Sequence, residues 1–256
     1  MKGFSTGIKS FFQAIPFIFK NNLWWTFFIP VILTILLFIG GHSLLDYVTD
    51  PINNYIQNWL GDGKTTGVLS WIVNFLINII FFFIFAYFSG YIVLIILSPL
   101  LSWVSEQTDK IINNTDYPFS WKNFTSDIWR GIMLALRNML YELGITVLVL
   151  LATLIPGLNI ITGLPATIFL FLISSYFYGF SYMDYALERR RMKVKERVLF
   201  VRKNKGMAIA NGSLFSISLF IPFVGVLFSG ITAIIAAVGA TLALNETKGV
   251  AVLNEK

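Results

Sequence analysis

Four stretches of this chain contain no Asp, Glu, Lys or Arg: Leu23–Leu45, Val68–Leu97, Leu143–Phe180 and Gly206–Asn245. Each exceeds the roughly 20 apolar residues that a bilayer-spanning helix needs. In hydrocarbon the backbone must satisfy its own hydrogen bonds, so helices or a closed barrel are the two solutions. A barrel strand alternates apolar and polar residues, and runs such as Ile77–Phe85 show no alternation. The reading is an all-α polytopic membrane protein, a single membrane domain over residues 1–256. Charged residues make up only 12% of the chain and hydrophobic residues 56%, against about a quarter charged in soluble domains.

The residues that are missing narrow the chemistry. There is no cysteine and one histidine, His42, so disulfides, thiolate catalysis and a Cys- or His-based metal site have no ligands to work with. No Asp, Glu, Lys or Arg lies inside an apolar stretch, where proton relays and intramembrane aspartyl hydrolases need such groups. The expectation is no enzyme, no metal and no cofactor. His42 reads as an interfacial residue near the outer end of the first helix. A cleaved signal peptide fits poorly, because the first apolar stretch begins only at Leu23 and no small-residue cleavage site follows it. That stretch reads as a retained helix.

Lysines and arginines set the orientation. The loop Asp46–Gly67 has one basic residue, Lys64, against Asp46, Asp50 and Asp62. All other basic residues fall in the N-terminal segment, in 98–142, in 181–205 or at the C-terminus. If 23–45 and 68–97 each cross once, the positive-inside rule puts these segments and both termini in the cytoplasm. Stretches 143–180 and 206–245 must then return to the side they left, so each is a hairpin. The first breaks at Ile155-Pro156-Gly157-Leu158-Asn159 and the second at Ile221-Pro222-Phe223-Val224-Gly225. Leu143–Ile155 offers about 20 Å of uncharged helix, short of the ~30 Å hydrocarbon core. This favours re-entrant, partly penetrating hairpins over full crossings in which Arg137 and Glu142 snorkel to the surface. Pro156 and Pro222, each followed by a glycine (Gly163, Gly230), form a weak internal repeat.

Residues 1–20 place Phe4, Ile8, Phe11, Phe12, Ile15 and Phe19 on one helical face, the pattern of an interfacial amphipathic helix. Segment 98–142 reads as an extension of the second helix, a turn near Asn113–Pro118, and a helix leading into the first hairpin. The cytoplasmic loop 181–205 holds a basic run that includes Arg189, Arg190, Arg191, Lys193 and Lys195. It reads as a membrane-surface segment touching anionic lipids. It has no interleaved aromatics that would point to nucleic acid.

What is left for function is backbone chemistry. Half-helices beginning after Asn159 and after Gly225 would present unpaired N–H groups and a partial positive charge, which suit an oxyanion. Gly157, Leu158, Asn159 and Thr162 are the candidate anion-binding residues, with Lys20 and Arg137 as supporting cations. The plainer alternative is that Pro and Gly only make the turn and Asn159 caps the next helix.

The order of these features resembles the CysZ-type sulfate permeases, a family that includes the eukaryotic etoposide-induced membrane proteins. The resemblance rests on Phe28-Ile29-Pro30, Ser98-Pro99-Leu100 with Glu106-Gln107, the Ile155–Asn159 turn and Tyr182-Met183-Asp184-Tyr185. It continues through the basic run, Phe215–Pro222 and Ala236–Ala243. It implies two long spanning helices, partly inserted hairpins, homo-oligomers and sulfate uptake across the inner membrane for cysteine synthesis. It also implies that Gly157, Leu158 and Asn159 belong to the family's Gly-Leu-Asn turn. Before the first helix the family commonly carries an arginine pair near its sulfate site, where this chain has Trp24-Trp25. Two indoles offer one neutral donor each. A non-transporting membrane scaffold or lipid-interacting protein of the same fold is the competing expectation.

Overall fold

The structure, a computed structural model, describes residues 2–61, 64–114, 121–153, 159–190, 192–219, 221 and 225–247. Eight α-helices follow one another among these residues: α1 (Lys2–Lys20), α2 (Phe28–Leu60), α3 (Lys64–Asn113), α4 (Trp121–Thr153), α5 (Asn159–Arg189), α6 (Val194–Lys203), α7 (Lys205–Leu219) and α8 (Gly225–Glu246). A 3-10 turn, Trp24–Phe27, joins α1 to α2. No strand occurs among the described residues. Gly90–Asn113, Gly131–Thr153, Pro165–Glu188 and Phe228–Glu246 are long and apolar enough to cross a bilayer. The chain is an all-α polytopic membrane protein.

The helices outrun the charge-free stretches that announced them. α2 continues through Asp46 and Asp50, where the sequence reads as loop, and ends only at Gly61. That glycine holds φ +70°, a backbone conformation that favours glycine, and its N–H donates to Gln57 O at 2.8 Å. The extension is stabilised by its neighbour: Asn53 and Asn74 exchange two hydrogen bonds of 3.2 Å between α2 and α3. α3 is one helix of 50 residues, with Pro99 inside it. His42 lies within α2; its side chain is outside the described set.

Side-chain pairs bring the helices level with one another. A Cβ on Gly230 of α8 would meet both Pro30 of α2 and Leu97 of α3. Gly225, where α8 begins, is about 8 Å of helix beyond that level, as is Tyr91 on α3. Tyr91 is paired with Glu142 of α4. From Glu142, α4 runs about 17 Å further to Thr153, and from Tyr91, α3 runs about 40 Å further to Lys64. Measured along the helices from this level, the described residues of α8 extend the least, those of α4 further and those of α3 furthest.

The other end collects the polar contacts. Asn245 of α8 accepts from Arg190 at 2.8 Å and Asn113 at 3.3 Å and donates to Asp109 at 3.2 Å. Lys9 meets Glu246 at 3.4 Å, and buried Arg197 of α6 meets buried Asp184 of α5 at 2.6 Å. The N-terminal helix, the ends of α3, α5 and α8, and α6 thus share one end of the molecule.

The core lies where α5, α7, α8 and α1 converge, around Tyr182, Met183, Met207, Phe215 and Ile234. Without a hydrophobic drive between helices in lipid, close backbone approach and small residues make the contact. A Cβ on Gly179 would sit 1.9 Å from Ala208 O, and one on Gly212 would sit 1.9 Å from Ser175 O. α1 divides its apolar residues. Phe11, Ala14 and Ile18 are buried, while Phe4, Phe12 and Phe19 remain exposed.

Candidate functional site

The two helix starts singled out from the sequence are at Asn159, which opens the 31-residue α5, and Gly225, which opens the 22-residue α8. Gly157 and Leu158 lie outside the described residues. Asn159 and Thr162 are placed in the first turn of α5, described by their backbone only. At α8 the hairpin is tight: the Gly225 N–H donates to Ile221 O at 2.7 Å, and a Cβ there would press on Ser218 O at 2.5 Å. The hydroxyls of Ser218 and Thr232 close the pair at 2.8 Å.

Arg137 does not join that turn. Its guanidinium lies 5.5 Å over the Phe180 ring and donates weakly to Asn138 Oδ1 at 3.4 Å. Its buried Nε meets no acceptor among the described residues. Phe180 stands about 31 Å along α5 from Asn159, so Arg137 and Asn159 cannot hold the same small ion. Lys20 ends α1 and is exposed. α1 packs on α7 and α8, whereas Arg137 packs on α5. Trp24 and Trp25 follow Lys20, about half exposed, with Trp25 5.3 Å from Trp103 of α3 between ring centroids.

The basic run is more structured than a loop. Arg189 closes α5, described by its backbone, and Arg191 is outside the described residues. Arg190 turns inward to Asn245, and Lys193 caps α6 through its N–H to Glu196 Oε2 at 2.8 Å. Lys195 is exposed. Arg197 is 4% exposed and paired with Asp184, so part of the run fixes the fold.

Two groupings lie beyond the residues singled out from the sequence. Glu142 is buried inside the candidate span Gly131–Thr153, where it accepts hydrogen bonds from the Tyr91 and Ser174 hydroxyls. The charge-free run begins one residue later, and that choice of boundary hid it. The Tyr176 hydroxyl of α5 lies in the field of the Arg202 charge on α6 and the Arg137 charge on α4, and Tyr176 and Arg202 line one groove. Periodicity cannot foresee this convergence, because it joins three helices.

Comparison with known proteins identifies a family. Residues 10–229 match the family described as sulfate transporter CysZ/etoposide-induced protein 2.4. The sulfate transporter CysZ of Pseudomonas fluorescens is 27% identical over 158 residues, 61% of this chain and 60% of that protein. The sulfate transporter CysZ of Pseudomonas aeruginosa is 25% identical over 150 residues, 58% of each chain. The matched part thus spans about 60% of the length of these relatives, whose names are those of transporters and not of enzymes. With most of its helices inside the matched region, this chain belongs to the sulfate transporter CysZ/etoposide-induced protein 2.4 family.

Proposed function

We propose that the protein is an inner-membrane permease for sulfate or a closely similar oxyanion, supplying sulfur for cysteine synthesis. The observation that carries this reading is the family match across residues 10–229. The geometry supports it at the hairpins. Two helices start after interruptions, at Asn159 and Gly225, and helix starts offer N–H donors and partial positive charge to an anion. The anion site we assign is the Gly157-Leu158-Asn159 turn with Thr162. Arg137, about 31 Å away along α5 and packed over Phe180, is not part of that site, and Lys20 is a surface cation. We further propose that both termini are cytoplasmic, that the shallow α7–α8 hairpin turns within the bilayer, as does the deeper α4–α5, and that copies of the chain associate.

The test is radiolabelled sulfate uptake in a host lacking sulfate transport. Wild-type protein should restore uptake, and Asn159→Ala should lower it about tenfold or more, as expected for losing one charge-assisted donor, at unchanged membrane abundance. Absence of flux from correctly inserted wild-type protein overturns the reading. That outcome favours a non-transporting scaffold of the same fold, for which the exposed Trp24-Trp25 pair is the specific argument.

A further inference from the structure

A groove of about 460 Å³ runs along α5 against α6 and α7, lined by Phe169, Leu172, Ile173, Tyr176, Arg202, Lys205 and Ile209. Its two ends differ in chemistry. Arg202 and Lys205 are exposed at the end nearest the polar contacts of the molecule, and Tyr176, which lines the groove with them, adds a hydroxyl. From Tyr176 the groove follows α5 toward Phe169 for about 10 Å, and there its walls are hydrocarbon. Phe169 and Leu172 keep 47% and 41% of their surface uncovered. The cations therefore sit at the charged end of the span, and the apolar wall points toward its middle.

We propose that this groove holds an acidic phospholipid, with its phosphodiester between Arg202, Lys205 and Tyr176 and an acyl chain along Ile173, Leu172 and Phe169. A small dianion such as sulfate matches only one end. Entering the apolar part would strip its hydration without compensating donors. A zwitterionic lipid matches the wall, but its own cation faces Arg202 and Lys205. An anionic head with a hydrocarbon tail satisfies both ends, and basic residues near a membrane surface each favour such heads. This site is separate from the anion turn at Asn159 and does not depend on what the protein transports.

The experiment is native mass spectrometry of the full chain in detergent, titrated with phosphatidylglycerol or with phosphatidylcholine of the same acyl chains. Wild-type protein should take up phosphatidylglycerol at lower concentration. The double variant Arg202→Gln/Lys205→Gln should weaken that binding about thirtyfold and abolish the preference. Lys9→Gln/Lys110→Gln, which removes two exposed charges outside the groove and outside the basic run, should leave it intact. Leu172→Trp, which fills the apolar wall, should weaken both lipids. Three results overturn the proposal: a preference that survives in Arg202→Gln/Lys205→Gln, an equal loss in Lys9→Gln/Lys110→Gln, or displacement of the lipid by millimolar sulfate but not by chloride at matched ionic strength. Circular dichroism of each variant confirms that the helices are retained.

Discussion

Glu142 shows how a single residue can be misjudged by its letter. A carboxylate beside an apolar run reads as the place where a helix leaves the membrane. In the folded chain it is 4% exposed, with the Tyr91 and Ser174 hydroxyls donating to it from two other helices. Removing it strands those donors, and a buried unsatisfied group costs about 1–3 kcal/mol. Glu142→Ala should therefore lower the thermal midpoint of the detergent-solubilised protein, followed by circular dichroism. Glu142→Gln keeps an acceptor and should retain most of the stability. Equal melting of Glu142→Ala and wild type would remove the residue from the structural argument. Arg197 teaches the same lesson with opposite charge: one of nine basic residues in a row that looks solvated, it is buried against Asp184.

Among the elements, α5 and α7 make the closest contact. Gly179 faces Ala208 and Gly212 faces Ser175, with no room for a side-chain carbon at either glycine. Gly212→Val should therefore prevent native assembly, visible as loss of a monodisperse peak on size exclusion and of protease resistance. Gly144→Ala is the matched control, because a Cβ there meets nothing within 4 Å, and it should behave as wild type. The helices themselves were legible in the sequence to different degrees. α5 and α8 begin at the ends of the Pro-Gly clusters at 155–159 and 221–225, and α1 ends at Lys20 as its amphipathic pattern predicts. The extension of α2 beyond Leu45 was not legible. Polar residues at 46–60 carry no membrane signal, and the helix persists there because α3 runs beside it and pairs through Asn74.

At the scale of the whole molecule, the one-sided charge becomes a physical end, where Asn245, Asp109, Arg190, Lys9 and Glu246 meet. Since the chain has no cysteine of its own, single cysteines can report which side each end occupies. Introduced at Lys9, Lys195 or Glu246, they should react with an impermeant maleimide only when the cytoplasmic face of sealed vesicles is presented. Introduced at Asn54, on the far extension of α2, one should react only from the opposite face. Labelling of Asn54→Cys and Lys9→Cys from the same face would refute the orientation.

By itself the sequence determined the class. Charge-free length dictates helices in a bilayer, the distribution of lysine and arginine dictates which segments stay together, and Pro-Gly clusters dictate where the hairpins turn. These are local properties, set by backbone hydrogen bonding and the cost of moving charge into hydrocarbon. Only the tertiary structure decided how far each helix extends beside α3, because that depends on which residues of α3 it packs against. It alone decided that Arg137 lies far from Asn159, that Glu142 belongs to the interior, and that Tyr176, Arg202 and Lys205 share a groove. Each of these joins residues from separate helices, and no period along one helix encodes the register of another.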